Sequence, residues 1–144
     1  MKLIIAAAVV IAVLGVGLTY LSLEGIKPAE SSVGSNAGAE IVSVTLPDAF
    51  TQNAQIGQRA YDVNCASCHG INAAGQEGIA PPLVHIIYEP SHHADESFQR
   101  AVSLGVRAHH WPFGDMPAVE GLTRGDVTLI TTYIRELQRA NGIN

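Results

Sequence analysis

The pentapeptide Cys65-Ala66-Ser67-Cys68-His69 constrains this chain more than any other stretch. Two thiols at this separation stand about one helical turn apart, so both reach the two vinyl groups of one porphyrin and close thioether bonds. The imidazole directly after the second thiol then lies under the iron as its proximal ligand. We therefore read Cys65 and Cys68 as haem-bonding thiols and His69 as an iron ligand. They are the only cysteines in the chain. Two other uses of such a pair compete. A redox disulfide accompanies a strand–helix–strand pattern, which the surrounding sequence lacks. A structural zinc site needs two further ligands. His92-His93 and His109-His110 offer imidazoles, but adjacent histidines depart from the separation that zinc fingers use.

The stretch Leu3 to Leu23 carries no charge, with Thr19, Tyr20 and Ser22 as its polar interruptions. As a helix it spans about 31 Å, enough to cross a bilayer's hydrocarbon core. A secretory signal has a shorter apolar region, ~7–15 residues, with a small-x-small cleavage site close behind it. The nearest such site, Ala37-Gly38-Ala39, lies well beyond the run. Residues 1–23 are thus expected to be an uncleaved transmembrane anchor, with a cleaved signal sequence as the alternative. The amino terminus and Lys2 precede the run and Glu24 follows it, which places the N-terminus in the cytoplasm. The expected location is the inner membrane, single-pass, with the rest of the chain facing the periplasm. Haem attachment to thiols points the same way, since in bacteria it takes place outside the cytoplasm.

The formal net charge is −5, from 8 Lys+Arg against 13 Asp+Glu. A nucleic-acid partner wants a basic face, so none is expected. Residues 24–50, rich in Gly, Ser, Ala and Glu in their first half, have few large apolar groups to bury and read as a flexible tether. Within them Ile41 to Leu46 alternates like a strand but lacks a hairpin partner, and is expected as extended chain.

Residues 51–144 form the expected folded domain. Thr51 or Asn53 caps a first helix that runs into Cys65, with Ile56, Ala60, Tyr61 and Val63 on one side. Gly57 inside it suggests a close helix contact. Gly70 to Pro90 is irregular, which a compact domain tolerates only if something large packs beneath it. A bound haem meets that need. A second helix is expected over about Ala94–Val106, capped by Ser91 or a neighbour, with Phe98, Ala101, Val102 and Gly105 as its buried stripe. Trp111 to Pro117 is irregular again. The last helix starts at Thr123-x-x-Asp126, a capping box with the shorter acid, and buries Val127, Ile130, Ile134 and Leu137.

A haem held by His69 needs a ligand or an open site on its far face. Met1 lies across the apolar run, so Met116 is the available thioether, stiffened by Pro117. It is read as the second metal ligand beside His69. A core gap-filling role for Met116, or ligation by His109 or His110 instead, are the alternatives.

Taken in order, Gly57-x-x-x-Tyr61, Cys65-Ala66-Ser67-Cys68-His69, Pro81-Pro82-Leu83, Met116-Pro117 and Tyr133 in a terminal helix resemble a mono-haem class I c-type cytochrome of the membrane-anchored bacterial type. The resemblance covers roughly Gln52 to Gln138. It implies an all-α cytochrome c fold, three to four helices around one haem, behind an N-terminal transmembrane helix. It also implies that Gly57 lets the first and last helices cross tightly, and that the Pro81 carbonyl accepts the His69 imidazole N–H. Leu83 is then a haem-packing residue, and the Trp111 indole bonds a haem propionate, as in short-loop bacterial members. The lysine ring of well-known members is absent, since the only lysines are Lys2 and Lys27. Such a domain is expected to dock on a basic or weakly charged partner face.

The expected function is electron transfer on one covalent haem c at the outer face of the membrane, serving redox partner proteins rather than catalysing a reaction. A haem c subunit of a multi-subunit dehydrogenase or oxidase, and a haem or metal-binding sensor, are the alternatives. His85, His92, His93, His109 and His110 are read first as solvated loop residues, then as a pH-sensitive patch or a second metal site.

Overall fold

The computed structural model describes residues 37–144. Four α-helices carry it. The first, α1 (Gln52–Asn64), begins at Thr51, whose hydroxyl oxygen accepts the Ala54 N–H at 3.3 Å. The last, α4 (Arg124–Ala140), begins at the expected capping box. The Asp126 carboxylate accepts the Thr123 N–H at 2.9 Å, and the Thr123 hydroxyl oxygen accepts the Asp126 N–H at 3.2 Å. Between them lie the single turn α2 (Ala66–His69), 3₁₀ turns at Ile71–Ala73 and Ile86–Tyr88, and α3 (Asp95–Leu104). Among the described residues there is no strand, only three isolated bridges. The all-α expectation holds there.

The crossing of α1 and α4 organises the core. A Cβ on Gly57 would stand 1.9 Å from the Leu129 carbonyl oxygen, so the two backbones meet where only glycine fits. Tyr61 and Tyr133 pack beside the crossing with ring centroids 5.5 Å apart. This contact decides which face of α1 is buried. Ala54, Gly57 and Tyr61 face inward, while Ile56 is 38% exposed and Val63 is 82% exposed. The expected apolar side was therefore off by part of a turn, because the small residues, not the large ones, mark where the partner helix comes closest.

On α4 the expected stripe is buried, and so are Thr131, Arg135 and Gln138 next to it. Thr131 bonds back to the Val127 carbonyl within the helix, while Arg135 and Gln138 hold the irregular segment that precedes α3. Gln138 Nε2 donates to the carbonyls of Leu83 and Tyr88 at 2.8 and 3.1 Å. The Arg135 guanidinium donates to the Tyr88 carbonyl at 2.7 Å, to the His93 carbonyl, and to Asp95 at 2.9 Å. A buried guanidinium with several fixed acceptors acts as a pin for loop backbone.

Two further expectations for the middle of the chain need correction. The N-cap of α3 is Ala94 rather than Ser91, whose hydroxyl donates to Glu89 instead. Gly105 lies outside the buried stripe and closes α3 with φ +74°.

Residues 37–50, expected as tether, belong to the compact unit. Gly38 N–H donates to the Glu77 carbonyl at 2.9 Å, and Ile41 and Val42 N–H donate to the Ala74 carbonyl. The Asn141 side chain brackets the Thr45 backbone from both sides. Val44 and Phe50 pack on the core, Phe50 with its ring 5.3 Å from Tyr133. Two large apolar side chains and a run of backbone partners are enough to hold it, as extended chain. The expected membrane span Leu3–Leu23 and tether residues 24–36 lie outside the described residues. Among the described residues, no helix is long and apolar enough to cross a membrane.

Candidate functional site

Cys65 sits at the end of α1, its N–H bonded to the Tyr61 carbonyl at 2.8 Å, and α2 carries the chain through one turn to Cys68 and His69. The thiols are not paired with each other. Burial, then the neighbouring Cys68, pushes the Cys65 thiol up to about 11. A reactive redox cysteine is shifted the opposite way, as it needs an exposed, electropositive setting that half-buried Cys65 lacks. Gln76 reaches over the end of α2 and donates to the carbonyls of Ser67 and Cys68 at 2.8 and 3.0 Å. That satisfies acceptors a single-turn helix leaves open and fixes the motif's shape.

His69 Nδ1 lies 2.9 Å from the Pro81 carbonyl. A carbonyl only accepts, so the proton is on Nδ1 and Nε2 keeps a lone pair. Burial pulls the imidazole below its ordinary value, against the smaller effect of the Pro81 carbonyl, so His69 stays neutral. A neutral imidazole oriented by a backbone carbonyl is the ligating form.

Beside it opens a cavity of about 620 Å³, whose lining includes Cys68, His69, Pro81, Leu83, Trp111 and Met116. That volume suits a cofactor. Six of the seven residues expected from sequence thus meet at one cavity. The seventh, Cys65, stands behind it, half-buried against the core. Met116 is held by an antiparallel bridge, with Val106 N–H to Met116 carbonyl and Met116 N–H to Val106 carbonyl both 2.9 Å. Gly105 makes room for this, since a Cβ there would stand 2.5 Å from the Met116 carbonyl oxygen. Asp115 closes the intervening loop by accepting the Ala108 N–H at 2.8 Å.

Trp111 stacks on Phe113 at 5.8 Å and meets His85 edge-on at 5.2 Å. Its Nε1 is buried and makes no well-directed hydrogen bond, although the Tyr88 hydroxyl lies close by. Tyr88 is its neighbour, a phenol that burial raises to about 12, but it does not satisfy the indole. A buried N–H without an acceptor costs about 1–3 kcal/mol, so an acceptor from a bound group is expected. A haem propionate has that chemistry. A thiol, a neutral imidazole and a thioether around one largely apolar cavity, with a second thiol one turn away, suit an iron porphyrin, whereas hard cations want oxygen ligands.

Comparison with protein-family models gives the decisive match: the cytochrome c model aligns with residues 54–138. The chain belongs to the cytochrome c family. No curated protein matches it. As a class I c-type cytochrome it carries covalent haem c, the cofactor expected from Cys65, Cys68 and His69, and haem-based electron transfer is the family's work. Sequence reasoning missed Gln76 and the Arg135–Gln138 pin. Gln76 leaves no trace in sequence, because its partners are backbone carbonyls. Thr131, Arg135 and Gln138 do recur at helical spacing, a polar stripe flanking the apolar one.

Proposed function

We propose that this cytochrome is a one-electron carrier held at the outer face of a membrane, with His69 and Met116 as its two axial ligands. The observation that carries the ligation is that His69, its Nδ1 committed to Pro81, and the bridge-held Met116 line the same cavity. A haem bound here supplies a one-electron iron couple. Cys65 and Cys68 fix it covalently. His69 would offer Nε2 and Met116 its sulfur to the iron, which would leave no open site for a substrate and favours transfer over catalysis. Leu83 and the apolar walls would exclude water, and the Trp111 N–H would hold a propionate. A thioether ligand and a dry pocket raise the potential.

Anchoring rests on the uncharged run Leu3–Leu23 and the charges flanking it. A carrier so confined serves redox partner proteins at the periplasmic side of the inner membrane, in a respiratory or dehydrogenase-linked chain. Its acidic balance favours basic or weakly charged partner faces, in small and short-lived encounters.

Met116→Ala tests the ligation. The oxidised variant should lose the methionine–iron charge-transfer band and its potential should fall, while covalent haem is kept. An unchanged spectrum would remove Met116 from the iron. Recovery of the full-length protein from membranes only with detergent tests the anchor, and release by an alkaline wash would refute it.

A further inference from the structure

Two histidine pairs far apart in sequence, His92-His93 and His109-His110, meet at the exposed edge of the haem cavity. One ring nitrogen each from His92, His93 and His110 lies within 4.8 Å of the others. His92 Nε2 and His110 Nε2 face each other at 3.4 Å. Two nitrogens bound tetrahedrally to zinc at ~2.05 Å stand about 3.3 Å apart, so this pair already has the length of one edge of such a site.

The third imidazole is held by the backbone. His93 Nδ1 lies 2.6 Å from the Ile87 carbonyl, which places its proton on Nδ1 and leaves Nε2 with a lone pair. Metal-bound histidines are commonly oriented by such a backbone acceptor. The Ile86–Tyr88 turn that supplies it adjoins the Tyr88 carbonyl, which Arg135 and Gln138 hold, and Arg135 also grips the His93 carbonyl. The ligand loop is thus fixed from the core rather than loose in solvent. Opposite, His109 Nδ1 is bonded to the Arg107 carbonyl at 2.8 Å, and its ring packs 4.3 Å from that of His110. The three-residue group contains no carboxylate and no thiol.

We propose that His92, His93 and His110 form a binding site for a divalent cation that prefers imidazole, zinc or copper(II), with water in the remaining position. The all-nitrogen set disfavours magnesium and calcium. Because the same histidines line the haem cavity, a dication there favours the less positive, reduced iron and raises its potential. That second step rests on the electron-carrier reading, while the binding itself does not.

Titration calorimetry of the full-length, haem-loaded protein with Zn²⁺ tests the site. The wild type should take up one equivalent, and His92→Gln and His110→Gln should each weaken binding by about tenfold or more, or about 1.4 kcal/mol. An unchanged visible spectrum in each variant shows that the fold is kept. No stoichiometric uptake by the wild type, or wild-type affinity in either variant, overturns the site. Potentiometry with and without Zn²⁺ is the separate arm. A rise in the wild type, absent from His92→Gln, supports the link to the haem, and binding without a rise refutes that link alone.

Discussion

Burial leaves the Trp111 N–H with no partner from the chain, and that single group makes a sharp test of where the cofactor's charged edge lies. Trp111→Phe keeps a ring against Phe113 and His85 but removes the donor. If a propionate accepts that N–H, the haem-loaded variant should be about 1.5–3 kcal/mol less stable, as for other hydrogen bonds to a charged group. Denaturant unfolding of the two proteins reads this directly, and equal midpoints would place the propionate elsewhere. At this scale the residues that meet at the cavity were largely legible. Cys65, Cys68, His69 and Met116 are types that iron–porphyrin chemistry demands, and the cysteine spacing is set by the porphyrin itself. Pro81 and Trp111 followed from the family resemblance. Gln76 did not, because an amide reaching the carbonyls of another turn has no sequence pattern of its own.

The helix crossing at Gly57 shows how elements constrain one another. Gly57→Ala gains up to ~1 kcal/mol of helix propensity, but its methyl would meet the Leu129 carbonyl at 1.9 Å, where backbone has to move. The clash wins, and a net loss of about 2 kcal/mol or more is expected in the urea midpoint. An unchanged midpoint would mean that α1 and α4 do not touch there. The cap of α4 gives a pH dependence. Bonds from the Thr123 hydroxyl and N–H hold the Asp126 carboxyl below the usual carboxylate range. A depressed folded value contributes stability above the unfolded value and loses it as pH falls through the folded one. The advantage of the wild type over Asp126→Asn should therefore be constant at neutral pH and vanish in acid, below the ordinary carboxylate range. A gap that persists there would contradict the cap. Pattern alone misjudged two elements, and for related reasons. The closest approach on the inner face of α1 is marked by a glycine rather than by a large apolar residue, and residues 37–50 are held by backbone bonds and two side chains rather than by a periodic stripe.

For the whole molecule, the irregular stretches between α2 and α4 make sense only around a cofactor. A cavity of about 620 Å³ is large enough for a cofactor to complete the packing of a domain whose own core is limited by its size. The helix order and the capping box could be read from sequence because local chemistry dictates them. The meeting of His92, His93 and His110 could not, since it depends on how two loops fold over the cavity edge. The central claim is that Cys65 and Cys68 hold the haem. Intact mass of the purified full-length chain after extraction with acidified acetone tests it most directly. We expect the polypeptide to keep the mass of one haem and to show no free thiol. A colourless chain with two reactive thiols would contradict the account.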